Sequence, residues 1–190
     1  RLSIGHVRRR RWLPDDAAID LSRRTTDRGR RHRHHSDRGI VGLGHIGSDV
    51  ARIVRTFGAT VVYRDILDRS VISEELGLRS MEYEELLQEA DVVSFHVPGT
   101  LLTKGMLDEA QIVHMKPSAL VINTSRGSVI QFADTVDAVR EGRLGGFATD
   151  VFPNEPFDAS AFAGDDRLYF TPHIGGNSRE SIMAMGRSAI

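Results

Sequence analysis

From Gly39 onward the chain alternates short apolar runs with amphipathic stretches of helical period, and this alternation limits the possible folds more than any single motif does. The runs at 40–41, 60–63, 92–95, 120–122, 147–148 and 168–170 are rich in branched and aromatic residues and too short for helices, so the pattern predicts buried strands. Between them the period predicts helices over 46–57, 83–90, 107–115 and 132–141, and a last one beginning near Ser178. Gly58 and Gly142 stand where such helices should end. Right-handed crossovers between these elements give an α/β fold, a doubly wound and mostly parallel sheet with helices on both faces. The first strand is the weakest element, because Asp37 and Arg38 occupy positions where a central strand should be apolar.

A chain of 190 residues that is 40% hydrophobic can bury one substantial core, so one domain is expected. The formal charge of -1 conceals an asymmetry: residues 1–39 carry 12 Arg against 5 Asp, whereas residues 40–190 carry 13 Lys or Arg against 21 Asp or Glu. Residues 1–38 have no sustained periodicity and read as a basic, disordered or artefactual segment ahead of a domain over 39–190. Apart from Trp12 the segment lacks interleaved aromatics, and it has no binding motif, so nucleic acid is not an expected partner. His32, His34 and His35 lack ligand spacing on a defined scaffold, and no metal is assigned. The absence of cysteine excludes disulfides, thiolate metal sites and a cysteine nucleophile, and fits a cytoplasmic protein. No apolar run approaches the length of a membrane span.

Gly42, Gly44 and Gly47 form a G-x-G-x-x-G pattern directly after a strand and at the start of a helix. In that context the first glycine permits the tight turn, the second lets the backbone approach a pyrophosphate, and the third lets the helix pack closely on the sheet. Asp65 follows at the end of the second strand, where an acid meets ribose hydroxyls and repels the extra phosphate of NADP. A Rossmann-type site for NAD is therefore expected, with neighbouring Arg64 acting against that repulsion.

Three later stretches narrow the reading. They are Ile122-Asn123-Thr124-Ser125-Arg126-Gly127, Asp150-Val151-Phe152-Pro153-Asn154-Glu155-Pro156 and Thr171-Pro172-His173-Ile174-Gly175-Gly176. Their order and spacing resemble the signature segments of the D-isomer-specific 2-hydroxyacid dehydrogenases, with the phosphoglycerate-dehydrogenase-like branch nearest. The resemblance implies an NAD-dependent oxidoreductase in which His173 exchanges the substrate proton, Glu155 orients it and Arg126 grips the substrate carboxylate. It further implies that His45, Ile46, Thr124, Ser125, Arg126, Asp150 and the turn of His173, Gly175 and Gly176 line the cofactor. The partners so implied are a small 2-hydroxy or 2-oxo acid and a second copy of the chain. The family's second, substrate-binding domain is expected to be largely missing, so that the chain reads as an incomplete fragment. A non-catalytic NAD-sensing module, like the corepressors that share this fold, is the alternative. One departure concerns Gln131-Phe132, where the family usually carries an acidic residue.

Overall fold

The computed structural model describes residues 37–188, with side chains placed through residue 183. Apart from its last two residues, the basic segment lies outside the described residues, as do His32, His34 and His35. Seven strands form one all-parallel sheet: β1 (Asp37–Val41), β2 (Thr60–Arg64), β3 (Arg79–Ser80), β4 (Val92–Phe95), β5 (Leu120–Asn123), β6 (Gly146–Thr149) and β7 (Leu168–Phe170). Their order is β3-β2-β1-β4-β5-β6-β7. The chain first winds outward from β1 to β3, then returns to place β4 on the other side of β1. That reversal makes the carboxyl ends of β1 and β4 a topological switch point, the usual ligand crevice of an open α/β sheet.

The strands alternate faces with period two. Ile40, Val61 and Tyr63 pack into a smaller cluster with Ala51 of α1 (His45–Thr56) and Leu76 of α2 (Ser70–Leu76). Val41, Val62, Val93, Phe95 and Val121 belong to the larger cluster. There they meet Leu86 of α3 (Tyr83–Glu89), Ile112 of α4 (Glu109–Ile112) and Val136 of α5 (Phe132–Arg140). A final helix, α6, spans Arg179–Ser188. Among the described residues no helix is long and apolar enough to cross a membrane.

Polar Asp37 and Arg38 are accommodated because they form the half-buried amino end of β1. There the Asp91 carboxylate accepts the Asp37 N–H at 3.2 Å and the Lys116 ammonium at 2.8 Å. The Lys116 contact, opposed by burial, holds the Asp91 carboxyl below the ordinary range.

The helix expected over 107–115 is confined to Glu109–Ile112. Leu107 is instead drawn into a bridge with Ile130, and its carbonyl accepts the Gln131 N–H at 2.8 Å. Asp108 and Gln111 then close a capping box that starts the helix only afterwards. Two elements carried too little signal to be anticipated. The seven-residue α2 buries only Ser73 and Leu76, and β3 is two exposed residues.

Phe132 is the first residue of α5 and the hub of an aromatic cluster. Its ring lies 5.1–5.9 Å from those of Phe147, Phe152, Phe157, Phe162 and Phe170. Three of these belong to the loop after β6, so the departure from the family's acidic pattern fastens that loop to the sheet. Phe132→Ala is expected to destabilise the domain by about 3 kcal/mol in chemical denaturation, through lost burial and a cavity. A loss below about 1 kcal/mol would mean that the cluster carries little of the packing.

Candidate functional site

The residues singled out by sequence gather at the carboxyl edge of the sheet, each in the segment following a strand. Gly42 leaves β1 with φ +93°, and a β-carbon there would meet the His96 carbonyl at 2.7 Å. Gly42 N–H donates to the Arg64 carbonyl at 2.8 Å, and His96 N–H donates to the Val41 carbonyl at 2.8 Å. The switch point is thus stitched backbone to backbone. A β-carbon at Gly47 would run into the Gly42 carbonyl oxygen, so only glycine allows α1 to begin this close to the turn. Gly44 differs, since a β-carbon there would meet nothing within 4 Å among the described residues.

That open space lies over an uncapped helix end. Among the described residues no side chain caps α1, and no acid occupies its first turn. The first intrahelical bond runs from the Ser48 N–H to the Gly44 carbonyl at 2.9 Å, leaving the N–H groups before it without helical partners. His45 and Ile46 are exposed beside them. Free donors, a positive dipole end and open room suit a phosphate anion.

Asp65, just past β2, faces the same turn. Its carboxylate accepts the Leu43 N–H at 2.8 Å and the Leu67 N–H at 2.9 Å. Burial works to raise its pKa, but these bonds and the Arg69 guanidinium outweigh it and hold the group below the ordinary range. A cavity of about 430 Å³ is lined by Gly42, Gly44, Asp65, His96 and Pro98. Burial lowers the His96 pKa, which keeps the ring neutral near neutral pH, and it lies 2.9 Å from Ser94 Oγ.

The second half of the site follows β5, β6 and β7. Buried Asn123 shapes the turn after β5: its Oδ1 accepts the Ser125 N–H (3.0 Å) and hydroxyl (2.8 Å), while its Nδ2 donates to the Arg126 carbonyl (3.0 Å). Thr124 and Arg126 are left exposed above it. Arg126 Nη1 donates to the Ser125 carbonyl at 2.7 Å, and the side chain makes no ion pair among the described residues. A β-carbon at Gly127 would overlap the Phe152 carbonyl, so the loops bearing Arg126 and Glu155 touch directly.

His173 Nδ1 lies 2.7 Å from Glu155 Oε2, and Glu155 Oε1 accepts the Phe152 N–H at 3.0 Å. With the Nδ1 hydrogen committed to the carboxylate, Nε2 carries the basic lone pair of the neutral ring. His173 sits at φ +53°, a left-handed conformation that is uncommon outside glycine. Asp150 maintains it. The carboxylate accepts the Thr171 hydroxyl at 2.5 Å and the N–H groups of Ile174 and Gly175 at 2.8 Å each. Gly175 and Gly176 lie exposed beyond the turn. Burial raises the Asp150 pKa, but those three donors and the His173 charge bring it below the ordinary range.

Sequence reasoning did not single out Asn123, Thr149, Thr171 or Arg69. Asn123 had a usable signal, an asparagine at a strand end that bonds two residues ahead as in an Asx turn. Thr149 Oγ1 lies 3.0 Å from the Asn123 carbonyl, linking the β5 and β6 turns, but its residue type carries no such signal.

The Glu155 pKa is lowered first by His173 and then by the Phe152 N–H. A depressed carboxyl pKa means that the contribution of this bond to stability is complete above the unfolded glutamate pKa and is lost as pH falls through the folded one. In carboxyl-carbon NMR titrations, Glu155 should titrate below the ordinary glutamate range, and His173→Gln should move it upward. A wild-type midpoint at or above the ordinary range would contradict the pairing.

The chain is similar to known proteins over most of its length. Residues 4–175 match the family described as D-isomer specific 2-hydroxyacid dehydrogenase, NAD binding domain. The chain is 36% identical over 143 residues to a glyoxylate reductase of Thermococcus litoralis, covering 75% of this chain and 43% of that protein. It is 38% identical over 148 residues to a D-3-phosphoglycerate dehydrogenase of Haemophilus influenzae, covering 75% and 36%. The solved D-lactate dehydrogenase of Aquifex aeolicus, complexed with NAD and lactic acid, superposes with a TM-score of 0.74 at 30% identity, covering 81% of this chain and 51% of that one. The chain thus spans about half or less of the length of these relatives. With a doubly wound sheet, a glycine turn at its switch point and a matching family extending over most of its length, the chain belongs to the D-isomer specific 2-hydroxyacid dehydrogenases, as their NAD-binding domain.

Proposed function

We propose that this domain binds NAD along its carboxyl edge and supplies Arg126, Glu155 and His173 to the interconversion of a small D-2-hydroxy acid and its 2-oxo acid. The observation that carries the reading is the 2.7 Å contact of His173 with Glu155, in a turn pinned by Asp150. Gly42, Gly44, His45, Ile46 and Gly47 would hold the pyrophosphate, and Asp65 a ribose hydroxyl. Thr124, Ser125, Asp150, Gly175 and Gly176 would border the nicotinamide end. Three acceptor positions of Asp150 are already filled, so its larger contribution is to fix the turn.

When bound, NAD supplies the hydride acceptor. In the oxidation, His173 Nε2 takes the hydroxyl proton as the C–H electron pair departs as hydride, and the carbon–oxygen bond becomes a carbonyl. Reduction returns the same proton. The Glu155 carboxylate stabilises the imidazolium that forms between these events. The Arg126 guanidinium, exposed and without a carboxylate partner among the described residues, offers two parallel donors to a substrate carboxylate. Resemblance favours a substrate like that of the phosphoglycerate dehydrogenase branch, a homodimer and a cytoplasmic setting. A catalytic role is preferred to the sensor alternative because the paired histidine and glutamate stand ready for proton transfer.

Two experiments test this reading. In the intact protein that contains this domain, His173→Ala should lower kcat by about 10²–10⁴-fold, the range for a general acid–base, while NADH binding persists. Turnover near wild type would sink the assignment. Gly44→Ala should cost under about 1 kcal/mol of stability yet weaken NADH binding, whereas Gly47→Ala should cost about 2 kcal/mol or more by overpacking. Equal stability losses would contradict the division of labour within the turn.

A further inference from the structure

The acid that should exclude NADP is not left to act alone. Asp65 has a side chain only 9% exposed, and Arg69 Nε donates to its Oδ2 at 3.2 Å. The Leu43 N–H donates to the same oxygen and the Leu67 N–H to Oδ1. A carboxylate has about four acceptor positions, so three donors leave roughly one, on Oδ1, for a ribose hydroxyl. The bidentate grip on a ribose diol that would make the discrimination sharp is therefore already partly occupied by the protein.

The charge around this point also differs from that of a bare acid. Arg64 and Arg69 line the same cavity as Asp65. Arg64 Nη1 donates to the Asp65 carbonyl at 3.3 Å, and its other terminal nitrogen lies 3.5 Å from Glu82, which is 75% exposed. Asp68 is turned to the Ser70 N–H at 2.9 Å. The carboxylate and guanidinium groups lining the cavity are thus Asp65, Arg64 and Arg69, while Glu82 and Asp68 are not among its lining residues. Arg69 screens Asp65 and is itself 31% exposed, within reach of solvent and of an added anion.

Building on the proposed nucleotide site, we infer that this site accepts NADP(H) alongside NAD(H), with Arg69 as the residue that sets the ratio. A phosphate on the adenosine ribose carries about 1.5–2 negative charges at neutral pH. Arg69 offers that phosphate a charge-assisted donor while neutralising the acid that would repel it. Arg64 adds a second cation on the opposite side of Asp65 in sequence. The selectivity of this chain would then rest on the Asp65–Arg69 pair and not on the aspartate alone.

The test is direct titration of the full chain with NADH and with NADPH, followed by nucleotide fluorescence or calorimetry at one fixed salt concentration. The wild-type chain should bind NADPH no more than about tenfold more weakly than NADH, since Arg69 returns to the phosphate what Asp65 takes away. Arg69→Gln, which uncovers the Asp65 charge, should raise the ratio Kd(NADPH)/Kd(NADH) by about tenfold or more. Arg69→Lys keeps the charge and should raise it less than Arg69→Gln does. Asp65→Asn should bring the ratio below that of the wild-type chain. NADH binding with NADPH more than about tenfold weaker would overturn this inference and leave the NAD site standing, as would an Arg69→Gln ratio within about twofold of wild type. Failure of the wild-type chain to bind either nucleotide would overturn the site and the inference together.

Discussion

The approach of Gly47 to the Gly42 carbonyl sets where α1 starts relative to β1, and the geometry of the glycine turn follows from it. With no β-carbon to separate them, the helix end is brought up against the strand end at the point where the sheet reverses its winding direction. Gly44, at the uncapped end of α1, then lines one cavity with Gly42 and with His96 from the segment after β4. The Leu43 N–H donates to the Asp65 carboxylate from the same turn, so the end of β2 is tied to the turn by a side chain as well as by its ladder with β1. Any larger residue at position 47 would move the helix, and with it every group that depends on the helix end.

The half of the site that holds His173 relies on a different device. Asp150 closes the end of β6 and gathers three donors from the segment after β7, which holds His173 in a left-handed backbone conformation. Residues in such regions cost about 1–3 kcal/mol and persist where the surroundings over-determine them. Here a buried carboxylate supplies that determination. Glu155 arrives from the neighbouring loop, which the phenylalanine cluster around Phe132 fastens to β6 and β7. The histidine is thus oriented by a carboxylate on its ring and by another on its backbone turn.

The sequence made the architecture legible where side-chain periodicity is strong. The strand runs from 60–63, 92–95 and 168–170 agree closely with the observed strands, and in the first two burial on both faces of the sheet explains the short apolar run. It was silent at α2 and β3, where few residues are buried, and misleading at 107–115, where backbone pairing of Leu107 with Ile130 outweighs helical periodicity. The glycine turn was readable because Gly42 and Gly47 each answer a backbone constraint, with Gly44 between them leaving open room. Less readable were the residues that work through other residues. The capture of Asp65 by Arg69, the shaping of the β5 turn by Asn123 and the pinning of the His173 turn by Asp150 all depend on distances that spacing does not encode. The meaning of Phe132 likewise emerges only when rings distant in sequence meet.

On the proposed reading, the turn from Gly42 to Gly47 and the segment after β7 are two ends of one dinucleotide site. Backbone amide NMR of the chain during an NADH titration addresses it most directly. Saturable shifts, with one common dissociation constant, are expected at the amides of His45, Ile46 and Gly47 and at those of Ile174 and Gly175. Shifts confined to one of the two groups, or the absence of saturable shifts at both, would contradict it.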